Sequence, residues 1–196
     1  MTKICIFCGS SMGNDNIYKQ AAKEIADYFV ENNISLVYGG ANVGLMKILA
    51  DTMMENHKEV IGIMPQSLVD KEVAHDNITE LIVVDSMAER KQKMVELSNY
   101  FIALPGGFGT LDELSEVMTL NQLRICDKPV GILNVNGYFD KLLDFIDHSV
   151  EAGFVRPEYR RNLMTSDDIH DLVTQLQQYE PLSMTKWISD IKTESN

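Results

Sequence analysis

Positive charge is what this chain has least of. Its 196 residues carry 17 Lys and Arg against 29 Asp and Glu, a formal net charge of −12. That balance argues against a nucleic-acid partner, because phosphate backbones are met by clustered cations. An anion site in such a protein must draw its positive field from helix ends and a few placed cations. Cysteine is equally sparse: Cys5, Cys8 and Cys126 make an odd set of 3. Residues 3–7 already read as a strand, which leaves no leader segment and points to a reducing cytoplasm rather than a disulfide framework. Cys5 and Cys8 have C-x-x-C spacing, but Cys5 sits within an apolar strand and not at a helix start, so a redox role is not expected. His57, His75, His148 and His170 show no metal-ligand spacing with one another or with cysteine, and no metal is expected. No run approaches the roughly 20 apolar residues of a membrane span.

What is present is alternation. Short apolar runs at 3–7, 34–38, 60–64, 81–84, 100–104 and 130–134 read as buried strands. Helical periodicity fills 17–32, 45–56, 87–98, 111–125, 139–152 and 168–179 between and after them. Alternating β and α over this length predicts an α/β fold: a Rossmann-like, doubly wound, mostly parallel sheet flanked by helices. No repeat or linker interrupts it, so residues 1–180 are read as one domain and 181–196 as a polar tail in which only Trp187 and Ile188 could dock.

The most informative stretch is Pro105-Gly106-Gly107-Phe108-Gly109-Thr110-Leu111-Asp112-Glu113. Strand, glycine turn and helix in that order gather unpaired backbone N–H groups around an anion. A plain phosphate cradle has no use for Glu113, whose charge would repel its ligand, so a carboxylate one turn on suggests chemistry on the rest of the ligand. Thr110-x-x-Glu113 also fits a capping box, in which both side chains merely satisfy helix-start donors. Both readings stand at the level of sequence.

Two further stretches stand out. Gly39-Gly40-Ala41-Asn42-Val43-Gly44 resembles a dinucleotide fingerprint but breaks G-x-G at Ala41 and follows the second strand instead of the first, so a second backbone anion or ribose contact is expected, not NAD. Met87, Arg90, Lys91 and Met94 fall at i, i+3, i+4 and i+7 on one helix face. Read functionally, Arg90 and Lys91 point a fork and a point charge at the cleft; read blandly, they are solvated cations beside buried methionines. In a parallel sheet the loops after strands one, two, three and five share one edge, where such folds bind ligands.

The glycine stretch resembles the P-G-G-x-G-T-x-x-E signature of the Lonely-guy family, the cytokinin riboside 5'-monophosphate phosphoribohydrolases, whose relatives often carry the label "possible lysine decarboxylase". Cys8-Gly9-Ser10-Ser11, Val37-Tyr38-Gly39-Gly40, Gly44-Leu45-Met46, residues 60–65, Arg90-Lys91 with Met94, and residues 128–131 match in order and spacing. The resemblance implies an N-glycosidase without cofactor that converts purine nucleoside 5'-monophosphates to free base and ribose 5-phosphate. It also implies a homodimer. It makes Glu113 and Arg90 catalytic and assigns substrate contacts to Ser10, Gly39, Gly40, Glu72, Met87, Lys91, Thr119 and the turn Pro105, Gly106, Gly107, Phe108, Gly109 and Thr110. Ala41, Lys47, Ala88 and Leu120 depart from common family residues. The alternative is a nucleotide-binding module without turnover, against which the intact Glu113 and Arg90 count. Lysine decarboxylation would need a pyridoxal Schiff-base lysine in a larger fold, and Lys91 has no suitable surroundings for it.

Overall fold

Every strand of the sheet runs the same way. The computed structural model describes residues 1–71 and 73–181; the expectations for Glu72, Trp187 and Ile188 lie outside them. The strands are β1 (Lys3–Phe7), β2 (Ser35–Tyr38), β3 (Val60–Pro65), β4 (Glu80–Val84), β5 (Tyr100–Ala103), β6 (Val130–Leu133) and β7 (Leu163–Ser166). They pair in parallel in the order β4-β3-β2-β1-β5-β6-β7. The helices are α1 (Asn16–Glu31), α2 (Gly44–Glu55), α3 (Gln66–Val69), α4 (Met87–Leu97), α5 (Phe108–Gln122), α6 (Asp140–Glu151), α7 (Pro157–Arg161) and α8 (Ile169–Gln177).

A central parallel strand is covered on both faces and has no polar side to show. β1 illustrates this: Ile4 and Ile6 enter the core under α1, α2 and α8, while Cys5 and Phe7 enter the one under α4, α5 and α6. Phe7 stacks on Phe101 of β5 with ring centroids 5.8 Å apart. α1 forms because Asp15 caps it, accepting from Ile17 N at 3.1 Å, and because Ala22, Ile25, Ala26 and Phe29 make one buried face.

Six strands are expected from the sequence and seven are found. β7 escapes because of its four residues only Leu163 is fully buried, as befits an edge strand. The short helices α3 and α7 escape because four and five residues are too few to show a helical period. The order has one reversal, between β1 and β5, where successive loops leave for opposite faces of the sheet. That switch point is where open α/β sheets hold ligands. Its two loops are pinned together by Gly9 N donating to Pro105 O at 3.1 Å.

Candidate active site

α5 begins earlier than its periodicity suggests. It starts at Phe108, with Gly107 as N-cap and no side chain capping the end. Thr110 and Glu113 therefore lie inside the helix, which overturns the capping-box reading. A variant of such a box occurs on α4: Ser86 Oγ accepts from Glu89 N at 3.1 Å, and the Glu89 carboxylate accepts from the N–H of Asp85, the residue before the cap, at 2.9 Å. The first N–H groups of α5 lack intrahelical acceptors, as at any helix start. Gly107 and Gly109 carry nothing over them within 4 Å of where a Cβ would stand. Thr110 is 2% exposed, and its hydroxyl has no partner among the described residues. An uncapped helix end with an orphaned hydroxyl is suited to an anion.

One turn further in, Glu113 is 9% exposed and meets Arg90, its Oε1 lying 3.1 Å from Nη1. Arg90 is equally buried and donates from Nε to the Ile63 carbonyl of β3 at 2.9 Å. The guanidinium is thus fixed from two sides. Gly39 lies against a third, because a Cβ at that position would collide with Nη2. Loss of solvent pushes the Glu113 carboxyl up to about 7, against the opposing pull of Arg90.

These groups line a cavity of about 370 Å³ together with Ser10, Gly107, Phe108, Gly109 and Thr110. Its remaining wall is apolar: Met46, Met64, Leu68 and Val73. A smaller chamber of about 320 Å³ adjoins it, sharing Ser10 and Gly107 and containing Pro105 and Gly106. There the Tyr138 hydroxyl donates to Gly106 O at 2.6 Å and so braces the glycine turn. Gly40, at φ +78°, takes the left-handed turn position that Ala41 would have resisted, so the Ala41 departure leaves the loop intact.

The structure brings Glu113, Arg90, Ser10, Gly39 and the turn 105–110 together, whereas Gly40 packs against Gly62 and Ile63 of β3 and lines neither cavity. Three further expected contacts are placed elsewhere. Lys91 turns away from the cleft and is held between α4 and α5 by Asp112 at 3.0 Å and by Glu116. Those carboxylates, Glu116 first, hold its pKa above the ordinary lysine value. Met87 opens α4 and is 45% exposed, outside the cavity lining. Thr119 is exposed on a different groove, with its hydroxyl on Ser115 O at 2.8 Å. The stripe on α4 divides because only Arg90 and Met94 of its four residues face the sheet. Sequence reasoning missed Met46, Met64 and the Ile63 carbonyl. The two methionines look like core residues, and a carbonyl carries no sequence signal at all. Among the described residues no group of three or more His, Cys, Asp or Glu could hold a metal ion.

The family model described as "Possible lysine decarboxylase" matches residues 46–176. A cytokinin riboside 5'-monophosphate phosphoribohydrolase of Arabidopsis thaliana is 46% identical over 179 residues, covering 91% of this chain and 84% of that protein. The chain belongs to the Lonely-guy family. A probable member from Oryza sativa subsp. japonica is 44% identical, covering 94% of this chain and 78% of its own. Among solved structures, the molybdenum cofactor binding protein of Rippkaea orientalis superposes with a TM-score of 0.67 at 20% identity, over 90% of this chain and 96% of that one. A second, TM1055, gives 0.69 at 17% identity over 91% and 100%. At that identity the likeness is one of fold. The family's decarboxylase label finds no support in Lys91, since a Schiff-base lysine must shed its proton and this one is clamped by two acids.

Proposed function

We propose that this Lonely-guy protein hydrolyses the N-glycosidic bond of a purine nucleoside 5'-monophosphate, adenosine monophosphate or an N6-substituted form, to free base and ribose 5-phosphate. The observation that carries the reading is Glu113: a buried carboxylate fixed to Arg90, one turn beyond an uncapped helix end. The start of α5 and Thr110 hold the 5'-phosphate. Glu113 takes a proton from the attacking water and offsets the positive charge that develops on the sugar. The bond from the anomeric carbon to the base nitrogen breaks, water supplies the new hydroxyl, and the base leaves with a proton. Arg90 keeps Glu113 in place and presents its remaining N–H groups to the ligand. Met46, Met64, Leu68 and Val73 offer the apolar contact that a base or its N6-substituent requires. No cofactor enters this scheme.

The same reading makes the protein a cytoplasmic homodimer that binds neither nucleic acid nor membrane. Three free, buried thiols suit a reducing compartment, and among the described residues no helix is long and apolar enough to cross a membrane. Leu123, Ile125 and Phe145 are 46%, 70% and 64% exposed beside the groove that holds Thr119, and a second copy would cover them.

Incubation with adenosine monophosphate should release adenine and ribose 5-phosphate in equal amounts, while adenosine should react far more slowly because the remote phosphate orients the sugar. Binding without release would mark a nucleotide-binding module instead. Equal rates on the two substrates would remove the phosphate assignment at α5.

A further inference from the structure

Residues 66–79 connect β3 to β4 and contribute Leu68 and Val73 to the cavity wall. Among its described residues the only helix is α3, yet the segment is tied to the β2–α2 turn through the backbone and to α2 through side chains. Asn42 N donates to Val73 O at 2.8 Å and His75 N donates to Gly40 O at 2.9 Å, the two hydrogen bonds that make up an isolated antiparallel bridge between Ala41 and Ala74. The tie to α2 is made by side chains. His75 is 4% exposed; its Nδ1 accepts from Asn77 N at 3.2 Å, which leaves the hydrogen on Nε2 to be donated to Asp51 Oδ1 of α2 at 3.0 Å. Asp51 is steadied in turn by Lys47 at 2.7 Å, and Lys47 also reaches Asn42 Oδ1 at 3.2 Å. The turn held in this way is the one that presses Gly39 against the Arg90 guanidinium.

We infer that His75, through Asp51, is a positioning residue: it clasps the β3–β4 connection to the Gly39–Asn42 turn and thereby keeps Arg90 in register with Glu113. The inference rests on the catalytic roles proposed above for those two residues. A buried imidazole with both nitrogens engaged holds a single orientation, and a loop anchored by it cannot slide without leaving a polar group unpaired in the interior. Arg90 has no freedom of its own to absorb a shift of the turn, because Ile63 O and Glu113 hold its other edges. Misplacement of a positioned group by about 1 Å costs on the order of 10²-fold in rate, so a loosened clasp should be visible in turnover.

The test uses the full chain. Asp51→Ala removes the acceptor at a half-exposed helical site where alanine is well tolerated. Asp51→Asn keeps an acceptor for His75 Nε2–H. Hydrogen exchange is followed at the Asn42 and His75 amides and at Arg90 Nε–H, with Ile6 and Ile102 in the sheet as reference, alongside adenine release from adenosine monophosphate. In Asp51→Ala, exchange at the three clasp positions should quicken by about tenfold or more while the references stay protected, and kcat should fall about tenfold. Asp51→Asn should return both measurements to within about threefold of the parent. Unchanged exchange in Asp51→Ala overturns the clasp, and faster exchange with unchanged kcat overturns its link to Arg90. If the parent protein releases no adenine, the catalytic reading fails by itself, and exchange at Arg90 Nε–H still decides whether the clasp holds the guanidinium.

Discussion

Glu113 gives the clearest test at the scale of single residues. An isolated glutamate titrates near 4.5, whereas burial moves this one to about 7. Below the lower value both folded and unfolded chains hold the proton and nothing is gained or lost. As pH rises between the two values, the unfolded chain gives up its proton while the folded protein still holds one, so the unfolded state gains and stability falls, and the penalty levels off above about 7 where both are ionised. At about 1.4 kcal/mol for each pKa unit it amounts to roughly 3 kcal/mol at most. Glu113→Gln should therefore raise the melting temperature by a few degrees at pH 8 and leave it unchanged near pH 4. It should also lower kcat by about 10²–10⁴-fold. In the parent protein kcat/KM should climb with pH through about 7, as the base loses its proton. A flat profile would argue that Glu113 does not act as a carboxylate. Gly39 supplies the steric counterpart. Its backbone conformation is open to alanine, but the added methyl collides with Arg90 Nη2, so Gly39→Ala should cut kcat on the order of 10²-fold while circular dichroism shows an intact fold. Near-normal turnover in that variant would show that the guanidinium position is not critical. Both residues could be picked out from the sequence as candidates, Glu113 by its place after a glycine turn and Gly39 by its motif. That the first is buried against an arginine, and that the second leaves room for the same arginine, could not.

Lys91 shows where element-scale geometry overrides a residue pattern. Spacing along α4 puts it on a face with Arg90, yet helical neighbours at i and i+1 point about 100° apart, and packing against the sheet selects only one of them. Arg90 goes to the cleft; Lys91 goes to Asp112 and Glu116 of α5 and ties the two helices together. Lys91→Ala should accordingly cost on the order of 1 kcal/mol in denaturant unfolding and change KM for the nucleotide by less than about twofold. A large rise in KM with no loss of stability would return Lys91 to the cleft. The start of α5 carries a similar lesson. Gly107 and Gly109 look like loop, because glycine is a poor helix former, but a helix can begin at such residues when the tertiary position of the turn is already fixed. Here the Gly9–Pro105 hydrogen bond and the Tyr138 hydroxyl fix it. That early start turned an apparent capping box into an uncapped helix end.

For the whole molecule, the exposed apolar patch of Leu123, Ile125 and Phe145 sets the expectation of self-association. Phe145→Glu, a fully tolerable change for a side chain already 64% in solvent, should shift sedimentation from dimer to monomer without lowering the melting temperature of the monomeric fold. A parent protein that sediments as a monomer would remove the homodimer from the reading.

The α/β class, the convergence of four loops on one sheet edge and the family signature at 105–113 were all legible in the chain, because each depends on local pattern: apolar periodicity makes strands and helices, and a parallel sheet puts every strand end on one side. The edge strand β7, the separation of Arg90 from Lys91, the location of Thr119 on the far groove and the His75–Asp51 clasp were not. Each of these depends on which groups meet across long sequence separations and on which of several polar side chains loses its water. Burial and the pairing that compensates it belong to the assembled core, and they set a glutamate near a glycine loop against an arginine with its carboxyl raised to about 7.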